Sequence, residues 1–377
     1  MTTDAQEISA NVCLAHQWFA ARRGGERTTE EIARLFPRAP VATLVLNRAA
    51  LGGDLPGRDF LVSPLRYLSP RFVDHRVLLP AFPWAVRHIR VPRRTRMMVS
   101  SDASLIKGMV LPPGCVHVCY CHSPPRYLWD MAEEYAARSA GMGPFRRFIF
   151  RRTLGRLRAF DRAGAARVDH FIANSQVVRD RIRRIYGREA TVIHPPVDIS
   201  RFAPTSTTED FYLIVAELVS YKRVDLAVDA CSRLGRRLIV VGDGPELQSL
   251  RSAAGDKVEF LGRVRDAEVA LLMSRSRAFL HPQVEDFGIA AVESQAAGRP
   301  VIALRAGGAR ETVIHGETGV FFGEQSVDAL ISAIREFEAG GHRFAIEACR
   351  ANASRFSAER FRRDFATFLT ERQLLSF

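Results

Sequence analysis

Two acids separated by seven residues, Glu285 and Glu293, stand in the stretch from Phe279 to Ile302. A strand is expected to end near His281-Pro282, and a loop then carries Glu285, Asp286, Phe287 and Gly288. A helix follows from about Ile289, and a second strand begins at Val301. Exposed backbone N–H groups at such a helix start form a natural site for an anion or a hydroxyl. Glu293 lies one turn into that helix, near enough to the loop for both carboxylates to meet one elongated ligand. Carboxylates accept charge-assisted hydrogen bonds, so the pair suits a ligand that combines many hydroxyls with a phosphate. Spacing alone fits two solvated acids on a helix edge just as well.

Other residues with chemical potential lie at predicted strand ends. Lys222 sits in Ser220-Tyr-Lys-Arg-Val-Asp225, and Gly244 in the turn Val241-Gly-Asp-Gly-Pro245. Gly24 and Gly25 fall between a strand over 12–15 and a helix over 28–36. Adjacent glycines let a backbone approach a ligand closely, or make an ordinary tight turn. His122 lies just past a strand over 116–120, where open α/β sheets carry functional groups; the alternative is a satisfied core histidine. Cys115, Cys119 and Cys121 with His122 lack a second ligand pair at a workable spacing, so they read as buried thiols, not a zinc site.

Positioning these groups requires a framework. A chain of 377 residues, 47% hydrophobic and 25% charged, suffices for two globular domains. Strands are expected over 12–15, 41–46, 97–99, 116–120, 170–173 and 191–194, then over 212–215, 237–241, 258–261, 278–281 and 301–304. Helical patterns between them argue for parallel sheets covered on both faces, an α/β fold. Pro195-Pro196 continues neither a helix nor a central strand, which divides the chain into a domain over 1–195, a linker over 196–208 and a domain over 209–356. A final amphipathic helix over 357–377 places Phe361, Phe365, Phe368 and Leu369 on one face.

The net charge of +13 is concentrated. Residues 1–200 carry 31 basic and 17 acidic side chains, +14, and residues 201–377 carry 23 and 24, −1. Nucleic acid, an anionic membrane or a phosphorylated substrate fits a basic half, as does an arginine-rich proteome, since only Lys107, Lys222 and Lys257 are lysine. Segment 145–167 holds eight arginines and one acid, Asp161, interleaved with Phe145, Phe148, Ile149, Phe150, Leu154, Leu157 and Phe160. A basic amphipathic helix of this kind lies on an anionic bilayer or serves as a helix with a wet arginine face. Nothing reaches the roughly 18 apolar residues of a membrane span, and the polar start of the chain is unlike a secretory signal, so a cytoplasmic protein is expected.

The stretch around Glu285 and Glu293, with its Phe-Gly-Ile-Ala core, resembles the E-x7-E signature of the family 4 retaining glycosyltransferases, and the resemblance covers nearly the whole chain. It implies the GT-B architecture, two Rossmann-like domains facing a cleft with the last helix packing across their junction. It gives Glu285 the donor sugar, Glu293 the nucleotide ribose, the amides of Phe287 and Gly288 the sugar or phosphate, and Lys222 the diphosphate. Many members carry an arginine where this chain has Glu217, so either Arg223 substitutes for it or the phosphate rests more on Lys222 and backbone amides. Gly244 would flank the nucleotide, and Gly24 and Gly25 the donor–acceptor junction. Members often read His-Asp-Trp where this chain has His16-Gln17-Trp18, so no role for an acid transfers there.

The run Cys119-Tyr-Cys-His-Ser-Pro-Pro-Arg-Tyr-Leu-Trp-Asp130 is similar to one in bacterial polysaccharide mannosyltransferases, which implies His122 at the reacting centre and Arg126 on a donor or acceptor phosphate. By the same resemblance the reaction is a front-face transfer of mannose from GDP-mannose to a lipid-linked saccharide, in assembly of a lipopolysaccharide or other cell-surface polysaccharide. The enzyme would work at the inner face of the membrane. No cofactor is expected, and the lack of any D-x-D motif predicts metal independence. A UDP-sugar donor, a sugar-nucleotide epimerase and a basic nucleic-acid binder are the alternatives. The last lacks a recognisable binding motif or aromatic platform, so no nucleic acid is expected as a partner.

Overall fold

Strands buried on both faces need apolar side chains in both directions, and β1 (Val12–Phe19) meets that need: Val12 and Leu14 enter one core, Cys13 and Ala15 the other. The structure is a computed structural model that describes residues 10–20, 23–48, 55, 57–68, 75–132, 144–340 and 344–375. The chain divides into two units, Met1–His194 with Phe361–Phe377, and Pro195–Arg360.

In the first unit β1 is joined by β2 (Val41–Leu46), β3 (Phe60–Val62), β4 (Met97–Asp102), β5 (Val116–Cys121), β6 (His170–Ala173) and β7 (Ala190–Val192). All pair in parallel, in the order β3-β2-β1-β4-β5-β6-β7. Among the described residues its α-helices are α1 (Gly24–Leu35), α2 (Phe82–Arg87), α3 (Pro144–Ala166) and α4 (Gln176–Tyr186). Ile32 and Ala33 of α1 cover one face of the sheet; Phe82, Ala85 and Val86 of α2 with Leu157 and Phe160 of α3 cover the other.

The second unit repeats the scheme with β8 (Tyr212–Val215), β9 (Leu238–Val241), β10 (Val258–Gly262), β11 (Ala278–His281), β12 (Val301–Leu304) and β13 (Gly319–Phe322), ordered β10-β9-β8-β11-β12-β13. Its helices are α5 (Val224–Leu234), α6 (Leu247–Ala253), α7 (Asp266–Arg275), α8 (Ile289–Ala296), α9 (Ala309–Thr312), α10 (Val327–Gly340) and α11 (Ile346–Ser354). Helices α5 and α10 pack on one face; Met273 of α7, Ala291 and Val292 of α8 and Ala353 of α11 pack on the other. The last helix, α12 (Ala358–Glu371), sends Phe361, Phe365, Phe368 and Leu369 into the core of the first unit.

Each sheet starts at its centre, winds outward through two strands and then continues on the opposite side. This is the doubly wound, Rossmann-like order, whose direction reverses beside β1 and β4 and again beside β8 and β11.

Three local expectations are corrected. Strand β1 runs on to Phe19 because His16 and Gln17 are buried with partners: His16 Nδ1 donates to the Ser101 carbonyl, and the Ala103 N–H donates to Gln17 Oε1. Helix α1 begins at Gly24 rather than at Thr28, so the glycine pair forms the first helical turn. In α3, Leu157 and Phe160 are core residues, which leaves them unable to lie on a bilayer; the side chains of Phe145, Ile149 and Phe150 lie outside the described set.

Candidate functional site

In open α/β sheets ligand sites form past the carboxyl ends of the strands where the order reverses. In the second unit those are the loops after β8 and β11, and they carry Lys222 and Glu285. Lys222 closes the short turn Ser220–Lys222, and its ammonium donates to Glu285 Oε1; both side chains are about four-fifths buried. Gln283 Nε2 donates to the same oxygen at 3.4 Å and to His281 Nδ1 at 3.1 Å. Burial alone would push the Glu285 carboxyl up, but the Lys222 ammonium and the Gln283 amide bring it down to about 2. The two groups expected to hold sugar and diphosphate therefore neutralise one another.

Gly288 precedes α8 with φ 93°, a left-handed conformation that favours glycine, and the helix starts at Ile289 as expected. Phe287 turns its ring into the core against Phe356, which anchors the loop and leaves only its backbone for a ligand. Glu293 has a separate cation, Arg201 at 3.8 Å, which also binds Asp266 at 3.0 Å. Arg223 is committed to Asp225 at 3.1 Å and itself has a left-handed backbone, φ 50°. A side chain at Gly244 would come within 2.3 Å of the Leu218 carbonyl oxygen, so this glycine lets the turn after β9 press on the loop that carries Lys222. A second pair, Gly307 and Gly308, does the same for the Glu285 loop: Cβ atoms there would lie 2.3 Å from the Glu285 carbonyl oxygen and the Phe287 Cα. The sequence reading missed this pair, although adjacent glycines after a strand gave the same signal as Gly24-Gly25.

The first unit gathers its polar groups in the same way. His122 follows β5, and its Nε2 lies 2.8 Å from the Ser101 hydroxyl at the end of β4. His16 of β1 meets His122 edge-on, ring centroids 6.4 Å apart. A Cβ at Gly25 would stand 3.1 Å from His16 Cε1 and 3.7 Å from His122 Nε2, so the glycine allows the start of α1 to approach both rings. Glu26, buried in the first turn of α1, accepts from the Arg23 N–H at 3.1 Å and lies 3.8 Å from His16 Nε2. His16, Ser101 and Glu26 were not singled out from the sequence, since they come from distant segments joined only by the sheet. Arg126 lies among arginines around Asp130: against the effect of partial burial, the Arg184 hydrogen bond and the charges of Arg181, Arg184 and Arg126 hold that carboxyl below its ordinary value.

Behind His122 lies a buried ion cluster. Lys107 Nζ reaches Asp102 Oδ2 at 3.0 Å, Asp161 Oδ1 at 2.6 Å and the Ser104 carbonyl at 2.9 Å. Trp129 and Tyr186 each donate to Asp161 Oδ2 at 2.8 Å. Asp102 also supplies the carbonyl that accepts from the His122 N–H. The cluster thus ties β4, α3, α4 and the His122 segment together.

Burial, then the neighbouring His16, lowers His122 from 6.5 to about 4, so it is neutral at physiological pH. The unfolded chain takes up this proton near pH 6.5 and the folded chain only near 4, so the associated stability is full above 6.5 and lost as pH falls through that window. Glu285 acts in the same direction lower down, between its ordinary 4.5 and about 2. Urea midpoints are expected to fall steadily from pH 7 to pH 4, and His122→Asn is expected to flatten the upper part of that slope.

Residues 22–201 match the sequence model of Glycosyltransferase Family 4, and residues 197–354 that of Glycosyl transferases group 1. The GDP-mannose-dependent alpha-(1-6)-phosphatidylinositol monomannoside mannosyltransferase of Mycobacterium tuberculosis is 32% identical over 194 residues, 43% of this chain and 50% of that protein. Glycogen synthase of the same organism is 31% identical over 185 residues, 44% of this chain and 45% of that protein. The chain thus spans about half the length of the curated relatives it matches.

Among solved structures, Anabaena HepE in complex with UDP-glucose superposes with a TM-score of 0.69 at 20% identity, covering 96% of this chain and 99% of that one. Sucrose-phosphate synthase from Thermosynechococcus elongatus gives 0.72 at 18% identity, covering 97% and 99%. The fold is GT-B, built of two Rossmann-like units. The chain belongs to family 4 of the glycosyltransferases.

Proposed function

We propose that this chain transfers a hexose from a nucleotide donor, GDP-mannose in the first instance, to a lipid-linked saccharide, with retention and without a metal ion. The observation that carries the reading is the Lys222–Glu285 pair at the point of strand-order reversal in the second unit, beside the start of α8. The mannose assignment rests on the mannosyltransferase relatives and on the Cys119–Asp130 run.

The bond from the anomeric carbon to the diphosphate breaks while the acceptor oxygen bonds to the same face of that carbon. The acceptor proton passes to an oxygen of the departing phosphate. The protein positions the reactants and stabilises the charge that develops on the diphosphate. Lys222 supplies the opposing positive charge, Glu285 holds sugar hydroxyls as an ionised acceptor, and Glu293 takes the ribose. Neutral His122 offers hydrogen bonds to the sugar without repelling or attracting charge. The missing D-x-D motif supports diphosphate stabilisation by Lys222 in place of a metal. Thermal shift against GDP-mannose, UDP-glucose, UDP-N-acetylglucosamine, GDP and UDP tests the donor. A selective gain with GDP-mannose and GDP is expected; a gain confined to the uridine compounds overturns the guanosine assignment, and no gain with any of the five overturns the reading.

The acceptor assignment brings the membrane with it. Among the described residues no helix is long and apolar enough to cross one. The first half of α3 instead exposes Phe148 with Arg151, Arg152 and Arg156, while its second half is anchored in the core. This supports peripheral attachment to the anionic inner face. Phosphatidylglycerol vesicles should bind the chain at low salt and release most of it at several hundred millimolar, because the Debye length shrinks to about 3 Å near 1 M. Binding that ignores salt, or none at all, contradicts this attachment.

A further inference from the structure

His281 ends β11 with its side chain fully buried, and the hydrogen bonds around it fix its tautomer. Gln283 reaches both His281 Nδ1 and Glu285 Oε1. Only the amide nitrogen satisfies both, since the opposite amide orientation would set its oxygen against a carboxylate. Nδ1 is then the acceptor, and the ring proton sits on Nε2. Among the described residues Nε2 has no hydrogen-bond partner. Burial, the largest influence, lowers this histidine's pKa, in keeping with a neutral ring that donates from Nε2.

A buried donor left without an acceptor is rare in folded proteins and calls for a reason. The bond from Gln283 accounts for Nδ1 but not for Nε2. The position of Nε2 supplies a reason. It lies 3.3 Å from where a Cβ at Gly288 would stand, and Glu285 Oε2 lies 3.8 Å from the same point. The missing side chain at Gly288 thus lets the His281 N–H and a carboxylate oxygen of Glu285 face the same point at the start of α8. A hydroxyl is the group that can use both, accepting from Nε2 and donating to Oε2. Glu285 Oε1 is already occupied by Lys222 and Gln283, which leaves Oε2 for this purpose.

We propose that His281 is a sugar-recognition residue which, with Glu285 Oε2, holds one hydroxyl of the donor hexose where the two groups converge beside Gly288. This rests on the reading of the second unit as the donor-binding unit and adds a residue and a selection rule to it. A hexose that lacks the hydroxyl at that position would leave both protein groups unsatisfied.

The test separates sugar from nucleotide. Affinities of the wild-type chain, His281→Phe and His281→Gln are measured by titration calorimetry for GDP-mannose and GDP, and for UDP-glucose and UDP. His281→Phe is expected to weaken binding of the preferred sugar nucleotide about tenfold and to leave the matching diphosphate within about twofold. His281→Gln, whose amide N–H reaches toward the same point, should recover most of the loss. In the wild-type chain one of the monodeoxy analogues of the preferred donor should bind about tenfold more weakly than the parent, a result that does not depend on how a variant folds. Equal affinity for all monodeoxy analogues, or a His281→Phe loss shared equally by sugar nucleotide and diphosphate, overturns the proposal alone. Absence of binding by any of the four compounds to the wild-type chain overturns the donor-binding reading and the proposal with it.

Discussion

Lys222→Ala is expected to lower the rate of hexose transfer by about a hundredfold to a thousandfold, the usual effect of removing one preorganised group that stabilises developing charge. Its ammonium sits on a carboxylate, in a loop pressed into place by Gly244. The substitution has a second signature. Without its counter-charge the buried Glu285 carboxyl rises from about 2 toward and beyond its ordinary 4.5. The acid-side loss of stability between pH 4.5 and 2 should then shrink, while nucleoside-diphosphate affinity falls at neutral pH. Lys222→Arg keeps the charge but not the compact ammonium, and should recover affinity better than rate. A Lys222→Ala protein with wild-type transfer and wild-type diphosphate affinity would remove Lys222 from the mechanism.

Lys107→Met is expected to destabilise the first unit by about 3–5 kcal/mol, because it leaves Asp102 and Asp161 buried without their shared cation. Burial would lower the Lys107 pKa, but the two carboxylates outweigh it and raise it well above the ordinary lysine value, so the ammonium is charged at every pH the protein experiences. Changing all three groups together, Lys107→Met with Asp102→Asn and Asp161→Asn, should recover part of the loss, since no uncompensated charge remains. Urea unfolding of the single and triple variants measures both effects. A Lys107→Met cost below about 1 kcal/mol would show that water or rearrangement compensates the carboxylates. Because Asp102 and Asp161 also hold the His122 N–H and Trp129, the single variant should lose transfer activity beyond its loss of folded protein.

The sequence made the sheets legible where strands are central. Runs such as Tyr212–Val215 and Val301–Leu304 are apolar throughout because both faces are covered. It hid β3, three half-buried residues at one edge, and β13, an edge strand that opens on Gly319; neither carries enough pattern to stand out. It misplaced the start of α1 because glycine is a poor helix former, whereas here Gly25 is needed where the helix meets His16 and His122.

The site divides along the same line. Glu285, Gly288 and Glu293 share one contiguous loop and helix, so their spacing is itself a signal. The His16–Ser101–His122 group draws on β1, β4 and the end of β5, and parallel strands joined by long crossovers bring such residues together without any local pattern. Lys107 stood out only as one of three lysines; its burial between two acids is a product of tertiary packing. In α3, arginine-rich composition pointed to a surface helix, but Leu157, Phe160 and Gly164 fasten its second half against the sheet and the Lys107–Gly108 turn.

Transfer itself is the most direct test. GDP-mannose and UDP-glucose, each carrying a labelled hexose, are incubated with the purified chain and a bacterial lipid extract, and label is followed into the organic phase beside Lys222→Ala and Glu285→Gln. Label is expected to enter the lipid fraction from GDP-mannose with the wild-type chain, in the donor's own anomeric configuration, and to fall at least about a hundredfold with either variant. Undiminished transfer by both variants, or a product of inverted configuration, would contradict the account.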